Sequence, residues 1–200
     1  NIEIDNLELA RALRPAMRAN DLPGMADIDS SMYLFCKEIK KESTVGLSGE
    51  CADEVFGGYP WFHWEAGGYE TFPWMRMNQR RWELLSPEIA RLIHPEEYLG
   101  DRFREARSEV PILPGEDESQ ARKRELFYLN ITRFMPTLLD RKDRMSMASG
   151  LELRVPFADH HLVEYVWNIP WELKNCEPVA KGILRRALRG VLPMDVLERR

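Results

Sequence analysis

Apolar residues at helical spacing dominate the start of the chain and predict an amphipathic helix. Asp5 or Asn6 suits the position that caps its first turn, because a short polar side chain there accepts a hydrogen bond from a free backbone N–H. Residues 2–4 alternate like the end of a strand, and the Pro23–Gly24 pair breaks the helix. The recurring apolar residues are Leu7, Ala10, Leu13 and Met17.

A second helix is predicted to lead into a short strand. Its C-terminal end is a basic run at residues 37–41, where cations complement the helix dipole. Residues 44–47 then read as a short buried strand, and residues 52–56 as one or two helical turns that Gly57 and Gly58 stop. This order of helix, strand and helix is typical of an α/β sheet. The apolar residues of the second helix are Met32, Leu34, Phe35 and Ile39.

Two more helices are predicted in the C-terminal half. Residues 124–139 carry one apolar stripe, and Pro136 should bend this long helix because proline lacks the backbone donor. The mixed charges at residues 140–144 favour a solvated turn after it. A last helix, with apolar residues from 183 to 192, carries a basic stripe that is normally solvated but would form a cationic wall beside a phosphate pocket. That stripe consists of Lys181, Arg185 and Arg189.

Aromatic side chains crowd residues 59–82. They could offer a surface on which an adenine ring stacks, but aromatic clusters more often pack between elements, and we favour packing. The aromatic residues are Tyr59, Trp61, Phe62, Trp64, Tyr69, Phe72, Trp74 and Trp82.

Composition and charge exclude several classes of function. The 200 residues, 44% of them hydrophobic, suit one domain or the larger part of one. A net charge of −5 with interspersed signs argues against nucleic-acid binding. No apolar stretch reaches the roughly 20 residues of a membrane span, and no signal peptide is visible, so we expect a cytoplasmic protein. The chain begins with Asn1 rather than methionine, and we expect residues 1–200 to be a single partial domain of a longer protein.

Cysteine and histidine residues do not suggest a transition-metal site. Cys36, Cys51 and Cys176 are odd in number and lack zinc-type spacing, so they are predicted to be reduced thiols. His160 and His161 are adjacent and are expected to point apart, which disfavours joint coordination.

Carboxylates between residues 48 and 54 are the main candidates for chemistry. Glu50 and Asp53 follow the predicted strand at the point where open α/β sheets bind small molecules, and carboxylates there can hold a magnesium ion against phosphate oxygens. Acidic residues are also ordinary in the first turn of a helix, where they offset its dipole. Spacing alone favours that simpler interpretation.

Three longer motifs change the balance. The run SGECADEVFGGYPWF at residues 48–62 resembles a segment, usually close to SGEGADELFGGYP, that faces magnesium and pyrophosphate in the synthetase domain of glutamine-hydrolysing asparagine synthetases. DRKDRMSM at residues 140–147, continuing to ELRVPFAD at residues 152–159, is similar to the DRxSM…ExRxPFxD block of that family. KGILR at residues 181–185 resembles its K-x-x-L-R helix start. The resemblance covers most of the chain from about residue 22 onward, including DLPGMADID at residues 21–29.

The resemblance implies a fold and a reaction. The fold would be α/β, predominantly helical, as part of an adenine-nucleotide α-hydrolase-like (PP-loop ATPase) parallel-sheet domain. The reaction would be that of a ligase: ATP activates the aspartate side chain as β-aspartyl-AMP, and ammonia from glutamine then gives asparagine and AMP. The implied cofactors are ATP and Mg²⁺, and the implied partner is a glutaminase domain of the same parent chain. The interpretation includes neither nucleic acid nor membrane and allows for a homodimer.

The resemblance also assigns roles to residues. Asp53 would hold the metal, Lys181 would supply charge to the α-phosphate, and Glu50 would accept the proton that the attacking ammonia loses. The other candidates for binding substrate or nucleotide are Ser48, Gly49, Arg141, Asp143, Arg144 and Arg185. Arg154 is expected to pair with Glu152 or Asp159 as structural support.

Three departures from the family pattern stand out. The glycine-rich SGGxDS loop that binds pyrophosphate is missing, and so is an N-terminal cysteine nucleophile, so we expect the fragment alone to be inactive. Cys51 stands where the family usually has glycine. Two alternatives remain open: a β-lactam-synthetase-like enzyme that adenylates another carboxylate on the same scaffold, and a non-catalytic interaction module. Intact Glu50, Asp53 and Lys181 argue against the second.

Overall fold

The computed structural model describes residues 2–64, 69–75, 79–177 and 179–199, and it is mostly helical with one small parallel sheet. Short 3₁₀ turns connect several of the helices. The helices and strands, in chain order, are α1 (Asn6–Ala19), α2 (Ala26–Lys40), β1 (Val45–Leu47), α3 (Ala52–Phe56), α4 (Pro87–Ile93), α5 (Pro95–Ser108), α6 (Glu118–Leu129), α7 (Met135–Met147), β2 (Glu152–Arg154), α8 (His160–Trp167), α9 (Trp171–Lys174), α10 (Gly182–Ala187) and α11 (Met194–Leu197).

The chain divides into two compact units. The first unit comprises Asn1–Ala52 and Phe134–Tyr165, and the second comprises Asp53–Arg133 and Val166–Arg200. Each unit has buried apolar residues of its own.

The first unit packs α1, α2 and α7 beside the two-stranded sheet. β1 and β2 are parallel, with Gly46 opposite Leu153. The predicted strand is confirmed, but the expectation that it is buried is wrong, because Leu47 is 78% exposed. Val45 and Leu47 share one face of the strand, and both side chains on that face are exposed.

The first helix begins as predicted. The Asp5 carboxylate accepts a hydrogen bond from the Glu8 backbone, and the Glu8 side chain accepts one from the backbone N–H of Asp5, which completes a capping box. The residues at positions 2–4, however, form no strand. Basic side chains lie in the last turn of α2, as the sequence indicated.

The second unit has an aromatic core. Phe62 is fully buried and lies with its ring centroid 4.5 Å from that of Phe127, and Phe72 meets Phe103 edge to face at 5.2 Å. This confirms the packing interpretation for Phe62, Phe72 and the aromatic residues of the segment that pack against the two clusters, which are Tyr59, Trp61, Tyr69 and Trp74. Residues 65–68 and 76–78 of that segment lie outside the described part of the chain.

The long helix predicted from residue 124 is interrupted before its proline, by a π-helical turn at Asn130–Phe134. Pro136 cannot donate to the carbonyl of Thr132, and the Arg133 guanidinium donates to that oxygen instead, at 3.3 Å. The Thr132 hydroxyl also donates to the carbonyl of Tyr128, at 2.7 Å. The interruption of the helix therefore lies upstream of the proline.

The charged run at residues 140–144 is helical, so the predicted turn is wrong. α7 continues through it to Met147, because charges of opposite sign at i and i+4 support a helix. The Arg144 guanidinium lies 3.0 Å from the Asp140 carboxylate in that arrangement.

The predicted last helix is much shorter than its apolar pattern suggested. α10 ends at Ala187, and Gly190 adopts a left-handed conformation with φ of +80°. The apolar residues beyond it are divided between a turn and α11.

No helix in the described part of the chain is long and apolar enough to cross a membrane.

Candidate active site

The first unit presents polar residues directly after β1. The backbone N–H of Ser48 donates to the carbonyl of Arg154 at 2.9 Å, which extends the parallel pairing one residue past the strand. Ser48 and Glu50 therefore lie at the carboxyl end of β1, as the sequence predicted. Among the described residues no atom lies within 4 Å of a Cβ placed on Gly49, so the backbone there is open to close approach.

Lys142 on α7 joins these two side chains. Its ammonium donates to the Ser48 hydroxyl at 2.9 Å and lies 3.0 Å from Glu50 Oε2. The ion pair is shielded, since the two side chains are only 15% and 22% exposed. The contact is too poorly directed for a hydrogen bond, so Oε2 is buried without a hydrogen-bond donor among the described residues. The Glu50 carboxylate can therefore accept a further hydrogen bond while it lies beside the Lys142 ammonium.

Cys36 on α2 lies near this pair. Burial raises the pKa of its thiol, with the Glu50 carboxylate adding to the shift and Lys142 opposing it. The thiol is therefore protonated at neutral pH, and the prediction that the three cysteines are reduced thiols is confirmed.

Cys51 has an unusual backbone. Its φ of +72° lies in the left-handed region, and its side chain is buried. This explains why glycine is the usual residue of the resembled motif at this position, because glycine adopts that conformation without steric cost.

In the second unit, Asp53 and Lys181 meet although 128 positions separate them. The Lys181 ammonium donates to Asp53 Oδ1 at 2.8 Å, and the side chains are 25% and 35% exposed for Lys181 and Asp53 respectively. Lys181 is the residue directly before α10, and its φ of +61° lies in the left-handed region. Two of the three residues to which the resemblance gives a role in the reaction are therefore in direct contact.

The glycine pair shapes the turn that follows Asp53. The N–H groups of Gly57 and Gly58 both donate to the Asp53 carbonyl, each at 2.9 Å. A Cβ on Gly58 would overlap the Asp53 carboxylate, and Gly57 needs its φ of +75°. The glycines therefore hold the carboxylate at the position where Lys181 reaches it.

The third carboxylate of the motif is structural. Glu54 is buried and accepts a hydrogen bond from the Tyr59 hydroxyl at 2.5 Å. This hydrogen bond joins α3 to the turn that follows it in the sequence.

The other predicted binding residues of α7 have different surroundings. Arg144 pairs with Asp140 and, at 2.7 Å, with Asp21, and the hydrogen bonds that its guanidinium donates to these two carboxylates raise its pKa. Arg141 points towards the sulfur of Met25 at 3.7 Å, and Asp143 is exposed. Sequence reasoning missed Lys142, the residue of this run that reaches Glu50. If residues 140–144 are placed on a helix, Lys142 lies on a different side of that helix from its sequence neighbours, and this could have identified it.

Arg185 is bound to the backbone of the second unit. Its guanidinium donates to the carbonyl of Ala180 at 2.9 Å and to that of Leu197. Arg154, in the first unit, pairs with Glu152 at 2.8 Å, which confirms one of its two predicted partners.

The expectation that His160 and His161 point apart is wrong. Their ring centroids lie 3.8 Å apart, and with the Asp159 carboxylate they offer three ligand atoms within 4.8 Å of one another. Both rings lie at the start of α8, where side chains lean back towards the N-terminus and hence towards Asp159. The backbone N–H of Leu162 donates a hydrogen bond to the Asp159 carboxylate and lowers its pKa. Desolvation opposes this shift, and the backbone N–H of His161 adds to it.

Comparison with known proteins places the chain in a family. The family model described as asparagine synthase matches residues 1–200. The chain is 54% identical over 197 residues to asparagine synthetase [glutamine-hydrolyzing] 3 of Bacillus subtilis (strain 168), covering 98% of this chain and 32% of that protein. It is 31% identical over 200 residues to asparagine synthetase [glutamine-hydrolyzing] 1 of the same organism, covering 84% and 32%. The human asparagine synthetase [glutamine-hydrolyzing] is 29% identical over 173 residues, covering 84% and 22%.

The chain thus spans about a third, or less, of the length of these relatives. Its predominantly helical fold with a small parallel sheet agrees with the predicted α/β, PP-loop ATPase-like class. Since the family model covers the whole chain and one relative shares more than half of the aligned residues, the chain belongs to the asparagine synthase family.

Proposed function

We propose that the protein containing this chain is a ligase that converts aspartate to asparagine, with cleavage of ATP to AMP and pyrophosphate and with ammonia derived from glutamine. The observation that carries the proposal is the ion pair between Asp53 and Lys181, which brings a carboxylate and an ammonium together at 2.8 Å from stretches 128 positions apart. The names of the family relatives support the same reaction.

Adenylation is assigned to the pair in the second unit. Mg²⁺ is commonly held by one or two carboxylates together with substrate phosphates, and the partly exposed Asp53 carboxylate fits that donor set. The metal would supply positive charge that neutralises the polyphosphate. Lys181 would donate to the α-phosphate as the aspartate oxygen attacks and pyrophosphate leaves, because charge that develops there needs a preoriented cation.

Amide formation is assigned to the residues after β1. The ammonia nitrogen attacks the activated carbonyl of β-aspartyl-AMP, AMP leaves with the bonding electrons, and the new amine must lose a proton. Glu50 would take that proton on its carboxylate group, which lies directly after β1. Lys142 would orient the Glu50 carboxylate, and Ser48 would hold Lys142 in turn.

The remaining predicted residues take supporting roles. Gly49 leaves open backbone for a phosphate or ribose group. Arg141, Asp143 and Arg144 would organise α7, while Arg185 would fix the loop that precedes Lys181 through its bond to Ala180.

The same proposal covers the setting of the chain. Residues 1–200 would be the C-terminal portion of a synthetase domain, with a glutaminase domain of the same parent chain as the source of ammonia. We also propose a cytoplasmic location and allow for a homodimer, and the proposal involves no nucleic acid.

The test is product stoichiometry with the full-length protein. Incubation with aspartate, ATP, Mg²⁺ and glutamine should give asparagine, AMP and pyrophosphate in equal amounts, and replacing aspartate by glutamate should abolish all three. Formation of ADP in place of AMP would contradict the proposal. Product formation from another carboxylate but not from aspartate would favour the β-lactam-synthetase-like alternative.

A further inference from the structure

A cavity of about 300 Å³ lies wholly within the second unit, between α6 and the segment leading into α9. Its apolar walls include the rings of Phe127, Trp167 and Trp171, with Leu113 at another side. Ligand pockets begin at about this size and are typically apolar with a few convergent polar groups. The volume and the flat walls suit a molecule of one or two aromatic rings.

Lys174 is the polar group of interest in this cavity. The residue is only 2% exposed, and its ammonium lies 3.8 Å from the centre of the Phe127 ring. Among the described residues its ammonium has no oxygen acceptor and no ion-pair partner, and desolvation is the one cause of its pKa shift. Burial lowers the pKa of this amine to about 8, so at neutral pH most molecules still carry the charge.

The other charged groups around the cavity are already engaged or exposed. The Lys123 ammonium donates to the carbonyl of Phe62 and lies 4.8 Å from the Trp171 ring, and burial lowers the pKa of that amine as well. Arg124 donates to Glu116 at 3.0 Å. Glu172, on the same short helix as Lys174, is exposed.

A cation without a protein acceptor in a mostly apolar cavity is costly, and a bound anion would lower that cost. Transfer of a charged group from water without compensation is among the most unfavourable steps in folding, whereas a charge-assisted hydrogen bond to a carboxylate is stronger than a neutral one. The ring face of Phe127 offers only partial compensation. The geometry therefore favours a ligand that brings one negative group to Lys174 and an apolar body to the tryptophans.

We propose that this cavity binds a small aromatic carboxylate, with the carboxylate on Lys174 and the ring system against Trp167 and Trp171. The site is separate from the residues assigned to aspartate and ATP, and its occupant needs no phosphate group. None of Asp53, Lys181 and Glu50 lines it.

Calorimetric titration of the full-length protein with 2-naphthoate tests the proposal, with 2-naphthamide as a neutral ligand of the same shape. We expect 2-naphthoate to bind at least roughly tenfold more tightly than the amide, since only the former carries the charge. Lys174→Met, which keeps the apolar stem and removes the charge, should abolish that difference. Lys41→Met, on an exposed ion pair with Glu38, should leave it unchanged.

The pH dependence gives a second readout. Above about pH 8 the Lys174 amine becomes neutral, so the affinity for 2-naphthoate should fall towards that of the amide in the unmodified protein. In Lys174→Met the affinity should not change over that range, although Lys123, Arg124, Glu116 and Glu172 are all retained. A parallel loss in the variant would assign the effect to Lys123 and overturn the proposal.

Three further outcomes decide the matter. No binding of 2-naphthoate at millimolar concentration, or equal binding of the acid and the amide, would overturn the site. Displacement by ATP, or loss of binding in Asp53→Asn, would show that the probe occupies the proposed nucleotide site instead. Persistence of binding in Asp53→Asn supports a separate cavity whether or not that variant still forms asparagine.

Discussion

At the scale of residues, two ion pairs carry the functional account. One pair joins Asp53 to Lys181, and the other joins Glu50 to Lys142. Both pairs are partly shielded from solvent, and each connects the motif at residues 48–54 to a residue that is distant in the sequence. The side chains of the Asp53–Lys181 pair are 35% and 25% exposed, and pairs close to the surface add little stability, typically below about 1 kcal/mol. Substitutions at these residues should therefore affect the reaction more than folding.

Glu50→Gln should uncouple the two half-reactions. The amide cannot accept a proton, so asparagine formation should fall by roughly 10²- to 10⁴-fold while pyrophosphate release changes far less. Single-turnover measurement of AMP, pyrophosphate and asparagine in the full-length protein separates these steps. Equal damage to both halves would make Glu50 a binding residue. Lys142→Met should show the same pattern more weakly, because Lys142 acts through Glu50.

Cys51 should tolerate glycine but not a branched residue. Cys51→Gly relieves the left-handed strain at φ of +72° but loses a buried thiol, so the free energy of unfolding should stay within about 1 kcal/mol. Cys51→Val should lower it by about 2 kcal/mol or more, since a β-branched side chain fits that region poorly. Denaturant titration of both variants makes the comparison. Equal stability of the two would mean that the backbone there relaxes.

Lys174 should make stability depend on pH. Its pKa falls from the ordinary lysine value of 10.5 to about 8 in the folded state, so between these values the unfolded chain binds more protons and stability rises with pH. Lys174→Met removes this dependence, and below pH 8 it should stabilise the protein by up to about 3 kcal/mol. Denaturant titrations at several pH values between about 7 and 10.5 measure the difference. A constant difference over that range would contradict the assignment of the shift to burial.

At the scale of elements, the turn that ends α3 controls the Asp53 carboxylate. Gly58→Ala should displace it from Lys181 and lower aspartate-dependent ATP–pyrophosphate exchange by roughly a hundredfold or more, since positioning errors of this size are costly. Gly100→Ala is the matched control, because its Cβ would meet only the movable Arg104 side chain at 3.2 Å within α5. Similar activity in both variants would show that Asp53 does not need its present position.

The elements that the sequence predicted well are those with local causes. The cap at Asp5 and the stop at Gly57 depend on neighbouring residues, and the structure has both. Elements that depend on distant packing were predicted less well. The exposure of Leu47 depends on which elements cover the sheet, and periodicity within one strand carries no information about that.

The long helix shows how a correct local rule can give a wrong boundary. Proline removed one hydrogen bond as expected, but the chain absorbed the loss as a π-helical turn upstream and continued as α7. The charged run therefore became helical, which brought Lys142 rather than its neighbours to Glu50. The candidate site was thus predictable from motifs, whereas its positioning residue required the helix geometry.

At the scale of the whole molecule, the chain has two compact units, and each contains one of the two ion pairs. The aromatic core and the cavity at Lys174 belong to the second unit, and the parallel sheet belongs to the first. The chain corresponds to about a third of its Bacillus subtilis relatives, so every activity measurement proposed above uses the full-length protein.

The central claim is that Asp53 and Lys181 act together in adenylation. Aspartate-dependent ATP–pyrophosphate exchange in the full-length protein, measured for Asp53→Asn, Lys181→Met and the double variant, tests it most directly. The account predicts that each single change lowers exchange by at least roughly a hundredfold and that the double change costs far less than the product of the two. Exchange within about threefold of the unmodified protein in either single variant would contradict the claim, and fully multiplicative losses would show that the two residues act independently.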